Sequence, residues 1–355
     1  MFEIDPDIRR AKTLVSDFYT DERYFEISKE KIFARSWQFL GRSDDLARLK
    51  PVHLLPGILD EPVLLVKTGK SVKCLTNVCT HRGKILVEEP CDANLIRCGY
   101  HGRRFSLDGK MLSMPEFEGV ENFPCESDDL KQLPVATLGG FVFASTDPAA
   151  DFEVFAGEVA AIFDEDAYHP EYMKLTAKRV YEVNAHWALY CENYLEGFHV
   201  PYVHPSLNSV IDYGTYTTDT FRYSSVQTAY EEAAKHSLLE PFDRQNATPG
   251  IAGRYAFIFP NLMFNFYPWG ISVNIVRPVS CDKTLVEFLT YVGDEMLVDE
   301  GAGADLHKIE MEDEAVVQSV QKGIQSRFYS QGRYSPNREQ GTHHFHRLIA
   351  EFMNV

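Results

Sequence analysis

A chain of 355 residues with 45% hydrophobic side chains is long enough to bury the cores of two domains rather than one small module. Its 52 acidic against 35 basic residues leave a formal net charge of -17, which argues against nucleic acid or an anionic membrane as a partner. Seven cysteines, an odd number in a large chain, do not read as a disulfide framework. Met1 to Pro6 has neither the basic start nor the apolar core of a signal peptide, so the expected compartment is cytoplasmic.

Residues 1–36 read as a helical, polar segment leading into Trp37. From 37 to 147 short apolar runs separated by Gly, Pro and Asp predict a small β domain. It should have a strand at 62–67, a hairpin corner at 105–110 and a closing strand at 140–144. Over 148–355 helical and strand patterns alternate, so that the expected class is α+β. A helix is predicted from Trp187 to about Val200, strands around 217–228, 254–278 and 284–293, and a last helix from about Asp305 to Ile324. Tyr255 to Val276 runs 22 residues without a charge, about the length of a membrane span. Pro260, Pro268, Gly270 and three asparagines inside it predict buried strands broken by turns instead.

Two short Cys-His pairs, Cys79-Thr80-His81 and Cys98-Gly99-Tyr100-His101, lie sixteen residues apart. Two soft thiolates and two imidazoles suffice for one tetrahedral zinc or for a Rieske [2Fe–2S] cluster, in which the cysteines hold one iron and the histidines the other. Each pair runs into a glycine, Gly83 and Gly102, and glycine lets backbone N–H groups approach cluster sulfurs. Zinc remains open on the spacing alone. Cys74, Cys91, Cys125, Cys191 and Cys281 are scattered and read as ordinary thiols.

A second set of ligand types lies in the aromatic stretch from Glu192 to His204. At 100° per residue Glu192, Glu196 and His199 share one helical face. Pro201 should end that helix and let His204 turn back toward His199. Two histidines across such a break can bind one metal, and a 2-His-1-carboxylate triad for Fe(II) needs one acid more. In the final helix Leu306, Ile309, Val316, Val317, Val320 and Ile324 form an apolar stripe with Asp313 in its middle, while Glu312 and Glu314 point to either side. A carboxylate on a buried face must be paired or metal-bound, which nominates Asp313 as the third ligand. His343, His344 and His346 have no carboxylate or cysteine spaced to join them, His186 reads as a core histidine, and His53, His169, His236 and His307 carry no signal.

Together these motifs resemble the α subunits of Rieske non-haem iron oxygenases. The resemblance rests on Cys-x-His-x16-Cys-x-x-His at Cys79, His81, Cys98 and His101, and on Glu-x-x-His-x4-His at Glu196, His199 and His204. It implies a β-rich Rieske domain over 37–147, a helix-grip catalytic domain over 148–355 with the segment 1–36 packing against it, and a homotrimer. In such a trimer electrons pass from one subunit's cluster to its neighbour's mononuclear iron, across an acid whose position Glu196 takes. Many members carry Asp there, and Glu is similar to a branch acting on quaternary amines. Pro260 to Trp269, Glu312-Asp313, Val320 to Gly323 and His343 to Leu348 are similar to segments of choline and glycine-betaine monooxygenases. The chain departs from the family's common Asn-Trp-Lys, having Asn184-Ala185-His186-Trp187-Ala188.

The resulting expectation is an oxygenase component that uses O₂ to hydroxylate or N-demethylate a small organic substrate, with an aromatic cavity holding a quaternary ammonium by cation–π contact. No Gly-x-Gly-x-x-Gly fingerprint is present, so a separate NAD(P)H-dependent flavin and iron–sulfur reductase is expected to supply electrons. The competing readings are an aromatic-ring dioxygenase α subunit, a pure Rieske electron carrier and a zinc-stabilised binding protein.

Overall fold

In the computed structural model, which describes residues 2–165, 168, 172–231, 250–298 and 300–355, the Gly- and Pro-punctuated runs form strands and the amphipathic stretches form helices. His169 and His236 lie outside the described residues. The chain divides into two units, one spanning Ala34–Ala149 and the other Met1–Phe33 with Ala150–Val355.

The unit Ala34–Ala149 is built of ten short strands. They are β1 (Gln38–Arg42), β2 (Leu49–Leu54), β3 (Glu61–Thr68), β4 (Ser71–Thr76), β5 (Ile96–Arg97), β6 (Arg104–Phe105), β7 (Met111–Ser113), β8 (Gln132–Leu133), β9 (Val135–Leu138) and β10 (Phe141–Ala144). They pair antiparallel into sheets ordered β1-β10-β9, β2-β3-β4-β8 and β5-β6-β7. Strand β3 shows why the unit has two cores. Its Leu64 and Val66 point to one face, where they join Leu75, Ile96 and Phe105. Val63 and Leu65 point to the other, with Val142 and Leu133. Cys79 and Cys98 belong to the first of these cores.

Among the described residues of the other unit, seven antiparallel strands form one sheet, in the order β11-β17-β16-β15-β14-β13-β12. These are β11 (Lys174–Val183), β12 (Thr217–Thr220), β13 (Ser224–Tyr230), β14 (Ile251–Ile258), β15 (Leu262–Tyr267), β16 (Gly270–Ser280) and β17 (Lys283–Val292). The charge-free stretch thus becomes β14 to β16, and among the described residues no helix is long and apolar enough to cross a membrane. The helices are α1 (Asp17–Thr20), α2 (Glu22–Ser28), α3 (Phe152–Ala156), α4 (Val159–Phe163), α5 (Trp187–Tyr194), α6 (Val200–Val203), α7 (Pro205–Asn208), α8 (Leu306–Ile324) and α9 (Gln340–Asn354), with a π-helical turn at Lys29–Phe33. Helix α5 packs on β16, α8 on α5 and β11, and α9 on α5 and β12. The class is α+β.

Three sequence expectations change. The N-terminal segment is not polar throughout, because Phe18, Tyr19, Phe25, Ile32 and Phe33 are buried and the Phe33 ring meets Trp187 edge-on at 4.9 Å. The helix after Asp305 is not the last, since α9 follows it and carries His343, His344 and His346. The helix starting at Trp187 stops at Tyr194, well short of Val200.

Candidate functional site

The two Cys-His loops share one backbone pattern. Cys79 N–H donates to Lys84 O at 2.8 Å, and Gly83 N–H returns to Cys79 O at 2.9 Å. Cys98 N–H donates to Arg103 O at 2.8 Å, and Gly102 N–H returns to Cys98 O at 3.1 Å. Both glycines adopt left-handed φ values, +71° and +72°, which an L side chain rarely takes. The cysteines are buried, while His81 is half-buried and His101 exposed, their rings 4.9 Å apart. Tyr100 N–H reaches Cys98 Sγ at 3.5 Å. Burial pushes the Cys98 thiol up, but the N–H groups of Tyr100 and His101 and the Cys79 thiol outweigh it and hold Cys98 below its ordinary value. Desolvation and the neighbouring His101 keep His81 low, in the neutral form that metal ligation needs. Arg103, 2% exposed, ties the first loop to the chain beyond it by donating to Thr80 Oγ1 at 2.6 Å and to Asp128 Oδ1 at 2.7 Å.

Among the described residues, only His199, His204 and Asp313 bring three ligand atoms within 4.8 Å of one another. The four loop residues do not, and a single tetrahedral zinc would require it of them. Two thiols and two imidazoles held as separate pairs fit a two-iron cluster.

The 195–204 segment is irregular for identifiable reasons. Leu195 caps α5, and Gly197 lets the Tyr216 ring lie so close that a Cβ there would meet it at 2.8 Å. Pro201 sits in the first turn of α6 rather than ending a longer helix, because its missing N–H costs nothing there. His204 stands between α6 and α7. Glu192, still on α5, therefore points elsewhere, its Oε1 3.0 Å from His346 Nε2.

His204 Nε2 lies 3.0 Å from Asp313 Oδ1, and His199 Nε2 lies 3.5 Å from the same oxygen. Three cis positions around one small octahedral dication are roughly 3 Å apart, so these atoms fit a facial triad. Each imidazole turns its other nitrogen to a carboxylate: His199 Nδ1 to Glu196 Oε1 at 2.7 Å, and His204 Nδ1 to Glu312 Oε2 at 2.7 Å. Such partners fix the tautomer that leaves Nε2 free for a metal. Burial pushes His204 down, but Asp313 and Glu312 outweigh it and raise its pKa, and a dication would replace that proton. Asn193 Nδ2 orients Asp313 by donating to Oδ1 at 2.6 Å.

Asp313 reaches the centre from the flank of the buried stripe of α8, not from its middle. Glu310, Glu314, Val317, Gln321 and Ile324 form the buried stripe, and Val320 is exposed. The polar members take partners that an apolar count overlooks, such as Gln321 Oε1 accepting His186 N–H at 2.8 Å and Glu310 Oε2 accepting the Tyr190 hydroxyl at 2.6 Å.

A cavity of about 100 Å³ adjoins the triad, walled by Tyr190, Tyr194, Tyr216, Tyr255, Tyr267 and Phe288 together with Asn265, Asn274 and Glu310. Strand periodicity decides which aromatics of β15 take part. Asn265 and Tyr267 face the cavity, while Phe264 and Phe266 face the other way onto Phe163 of α4, at 5.2 and 5.1 Å. Register carries the wall across the sheet, with Tyr255 opposite Asn265 and Asn274 opposite Phe288. Trp269 stacks on Tyr267 at 5.1 Å inside the core. The missed wall residues had one legible signal, alternation within 255–276, but no phase for it.

The C-terminal histidines do not gather. His343 Nε2 meets Asp5 O at 2.8 Å, and His346, fully buried, meets the Tyr334 hydroxyl at 2.5 Å. His186 is a buried cap whose Nδ1 accepts Ala188 N–H at 3.2 Å. All seven cysteines are free.

Residues 36–124 match the Rieske [2Fe-2S] domain family, and residues 170–354 match the ring hydroxylating alpha subunit (catalytic domain) family. The chloroplastic choline monooxygenase of Arabidopsis thaliana is 32% identical, over 98% of this chain and 85% of that protein. The carnitine monooxygenase oxygenase subunit of Escherichia coli (strain K12) is 29% identical, over 97% of this chain and 94% of that one. The crystal structure of the quaternary ammonium Rieske monooxygenase CntA with L-carnitine matches at 28% identity and a TM-score of 0.75, covering 98% of this chain and 97% of that one. Naphthalene 1,2-dioxygenase with indole bound, 18% identical with a TM-score of 0.71 over 97% of this chain and 92% of that one, shares the fold. The chain therefore belongs to the Rieske oxygenase α-subunit family: it is an oxygenase component with a Rieske [2Fe–2S] domain and a catalytic domain that binds mononuclear non-haem iron, working with a separate reductase.

Proposed function

We propose that this protein hydroxylates an N-methyl group of a small quaternary amine. The observation that carries the reading is the convergence of His199, His204 and Asp313 beside a cavity to whose wall Tyr190, Tyr194, Tyr216, Tyr255 and Tyr267 contribute. Tyrosine faces attract a trimethylammonium group by cation–π contact, and the wall supplies several of them around one small space. Likeness to choline and carnitine monooxygenases supports the same substrate class.

In this reading Cys79 and Cys98 hold one iron of the cluster, His81 and His101 hold the other, and residues 37–147 form the electron-relay domain. His199, His204 and Asp313 hold the mononuclear iron. That iron, when bound, supplies O₂ activation with electrons relayed from NAD(P)H by a flavin and iron–sulfur reductase. Glu196 keeps the Nδ1 proton of His199 and couples that ring, in a homotrimer, to a cluster histidine of the neighbouring subunit. Glu312 does the same for the tautomer of His204, and Asn193 holds Asp313 in place. One oxygen atom enters the N-methyl C–H bond, the other leaves as water with two electrons and two protons, and the hemiaminal falls apart to formaldehyde and a demethylated amine.

The test is a single turnover of dithionite-reduced, iron-loaded protein under ¹⁸O₂ with betaines, choline, carnitine and simple arene acids. Formaldehyde, or one labelled oxygen on an amine, is the expected outcome. Two labelled oxygens on an arene would replace the reading with ring dioxygenation.

A further inference from the structure

We propose that Glu310 is the charge-selecting residue of the cavity, pairing with a substrate ammonium so that an N-methyl group lies beside the triad. The proposal rests on the quaternary-amine reading above and narrows it to substrates that carry a net positive charge. Glu310 is 3% exposed and lines the cavity. One of its oxygens, Oε2, accepts the Tyr190 hydroxyl at 2.6 Å. The other, Oε1, is buried without a hydrogen-bond partner.

A buried carboxylate with a free oxygen is costly unless something pairs with it. An arginine or lysine would be the ordinary solution, yet among the described residues no Lys or Arg lines the cavity. A metal is the second solution, but the ligand atoms that converge are those of His199, His204 and Asp313, and Glu310 is not among them. Protonation is the third, and burial favours it while the cavity is empty; a cationic substrate is the fourth, and its charge is what draws the proton off Glu310 on binding. Position supports it as well. Glu310 precedes Asp313 by three residues of α8, a rise of about 4.5 Å, so an ammonium at Glu310 keeps its methyl groups within reach of the iron.

The same wall selects against a substrate carboxylate. Glu196, Glu310 and Asp313 all line the cavity, with no fixed cation among the described lining residues to receive a second acid. A trimethylammonium alcohol fits this charge pattern better than a betaine.

The probes are choline, its neutral isostere 3,3-dimethylbutan-1-ol, and glycine betaine. Each is titrated calorimetrically into anaerobic iron-loaded protein, wild type, Glu310→Gln and Glu310→Asp, with matched iron content and cluster absorption. Wild type should prefer choline over the neutral alcohol by about 10- to 100-fold, the range of a charge-assisted contact. Glu310→Gln should lose that preference while binding the alcohol as before, Glu310→Asp should retain part of it, and betaine should bind more weakly than choline. Unchanged preference in Glu310→Gln overturns the proposal, as does an equal loss for choline and the alcohol, which would mark a structural role. Wild-type protein that binds neither trimethylammonium compound sinks the quaternary-amine reading itself, and the proposal with it. Wild type that binds betaine as tightly as choline overturns the narrowing to net cations.

Discussion

Glu196 Oε1 lies 2.7 Å from Nδ1 of His199, and Oε2 accepts the backbone N–H of the same residue at 3.1 Å. One carboxylate thus fixes both the ring and the backbone of His199. Glu196→Gln keeps the shape and can still accept from Nδ1, so both metals should stay bound. On the proposed relay role of Glu196, loss of the charge should lower steady-state turnover by about 10- to 100-fold. Iron content, the cluster spectrum and turnover measured side by side test this, and normal turnover would remove Glu196 from the relay.

Asp313 Oδ1 is shared by Asn193, His204 and, at 3.5 Å, His199. Asp313→Ala should lose mononuclear iron while the cluster spectrum persists, because the cluster loops lie in a different unit of the chain. Glu312→Gln removes only the charge behind His204 and should weaken iron binding by about tenfold. Metal analysis after dialysis against a graded chelator separates the two. Full iron in Asp313→Ala would take Asp313 out of the triad.

Burial lifts Glu310 to about 8, with the Tyr190 bond working against it and Asp313 and Glu314 adding to it. A folded-state pKa above the unfolded value means the group's contribution is complete below about 4.5 and is lost as pH rises through 8. Glu310→Gln avoids ionisation, so metal-free variant protein should be more stable than wild type at pH 8, by a few kcal/mol at about 1.4 kcal/mol per pH unit. The two should be nearly equal at pH 5. Urea denaturation at both values is the measurement, and equal midpoints at pH 8 would mean that Glu310 is not held under strain.

Burial pushes His186 down to about 3, and His344 is held at about 4 by burial and by Arg347 and Arg222. For a depressed histidine the stabilising contribution is present above the unfolded value near 6.5 and is lost as pH falls toward the folded value. The protein should therefore lose about 1.4 kcal/mol per pH unit per histidine between pH 6 and pH 4. His186→Asn retains a capping side chain for Ala188 N–H and should remove one histidine's share of that slope. Denaturation curves at three pH values test it, and an unchanged slope would refute the assignment.

How far the site was legible follows from particular residues. Cys79, His81, Cys98 and His101 stand out because thiolates and imidazoles are uncommon ligand types and their spacing is local. His199 and His204 are equally plain, but the helix assumed to present them ends at Tyr194. They meet because Gly197 admits the Tyr216 ring and Pro201 restarts the chain, both visible residues whose direction of effect depends on neighbours distant in sequence. The apolar stripe that nominates Asp313 is only partly the buried one. Glu310, Glu314 and Gln321 displace Val320 because each polar side chain finds a partner or a buried place that periodicity does not register.

The sequence by itself marked out the two candidate ligand sets and their order and gave the α+β class, since these depend on residue type, short spacing and the period of apolar positions. Tertiary structure alone decided which aromatics wall the cavity, that Glu312 backs His204 and that Glu310 is left with a free oxygen. The physical reason is that these are matters of register and rotation. The pairing of β14 through β17 selects Tyr255, Asn265, Asn274 and Phe288 for one face, and the turn of α8 against α5 sets Glu310 under Tyr190 and Asp313 beside Asn193. Neither quantity is written in any local run of residues.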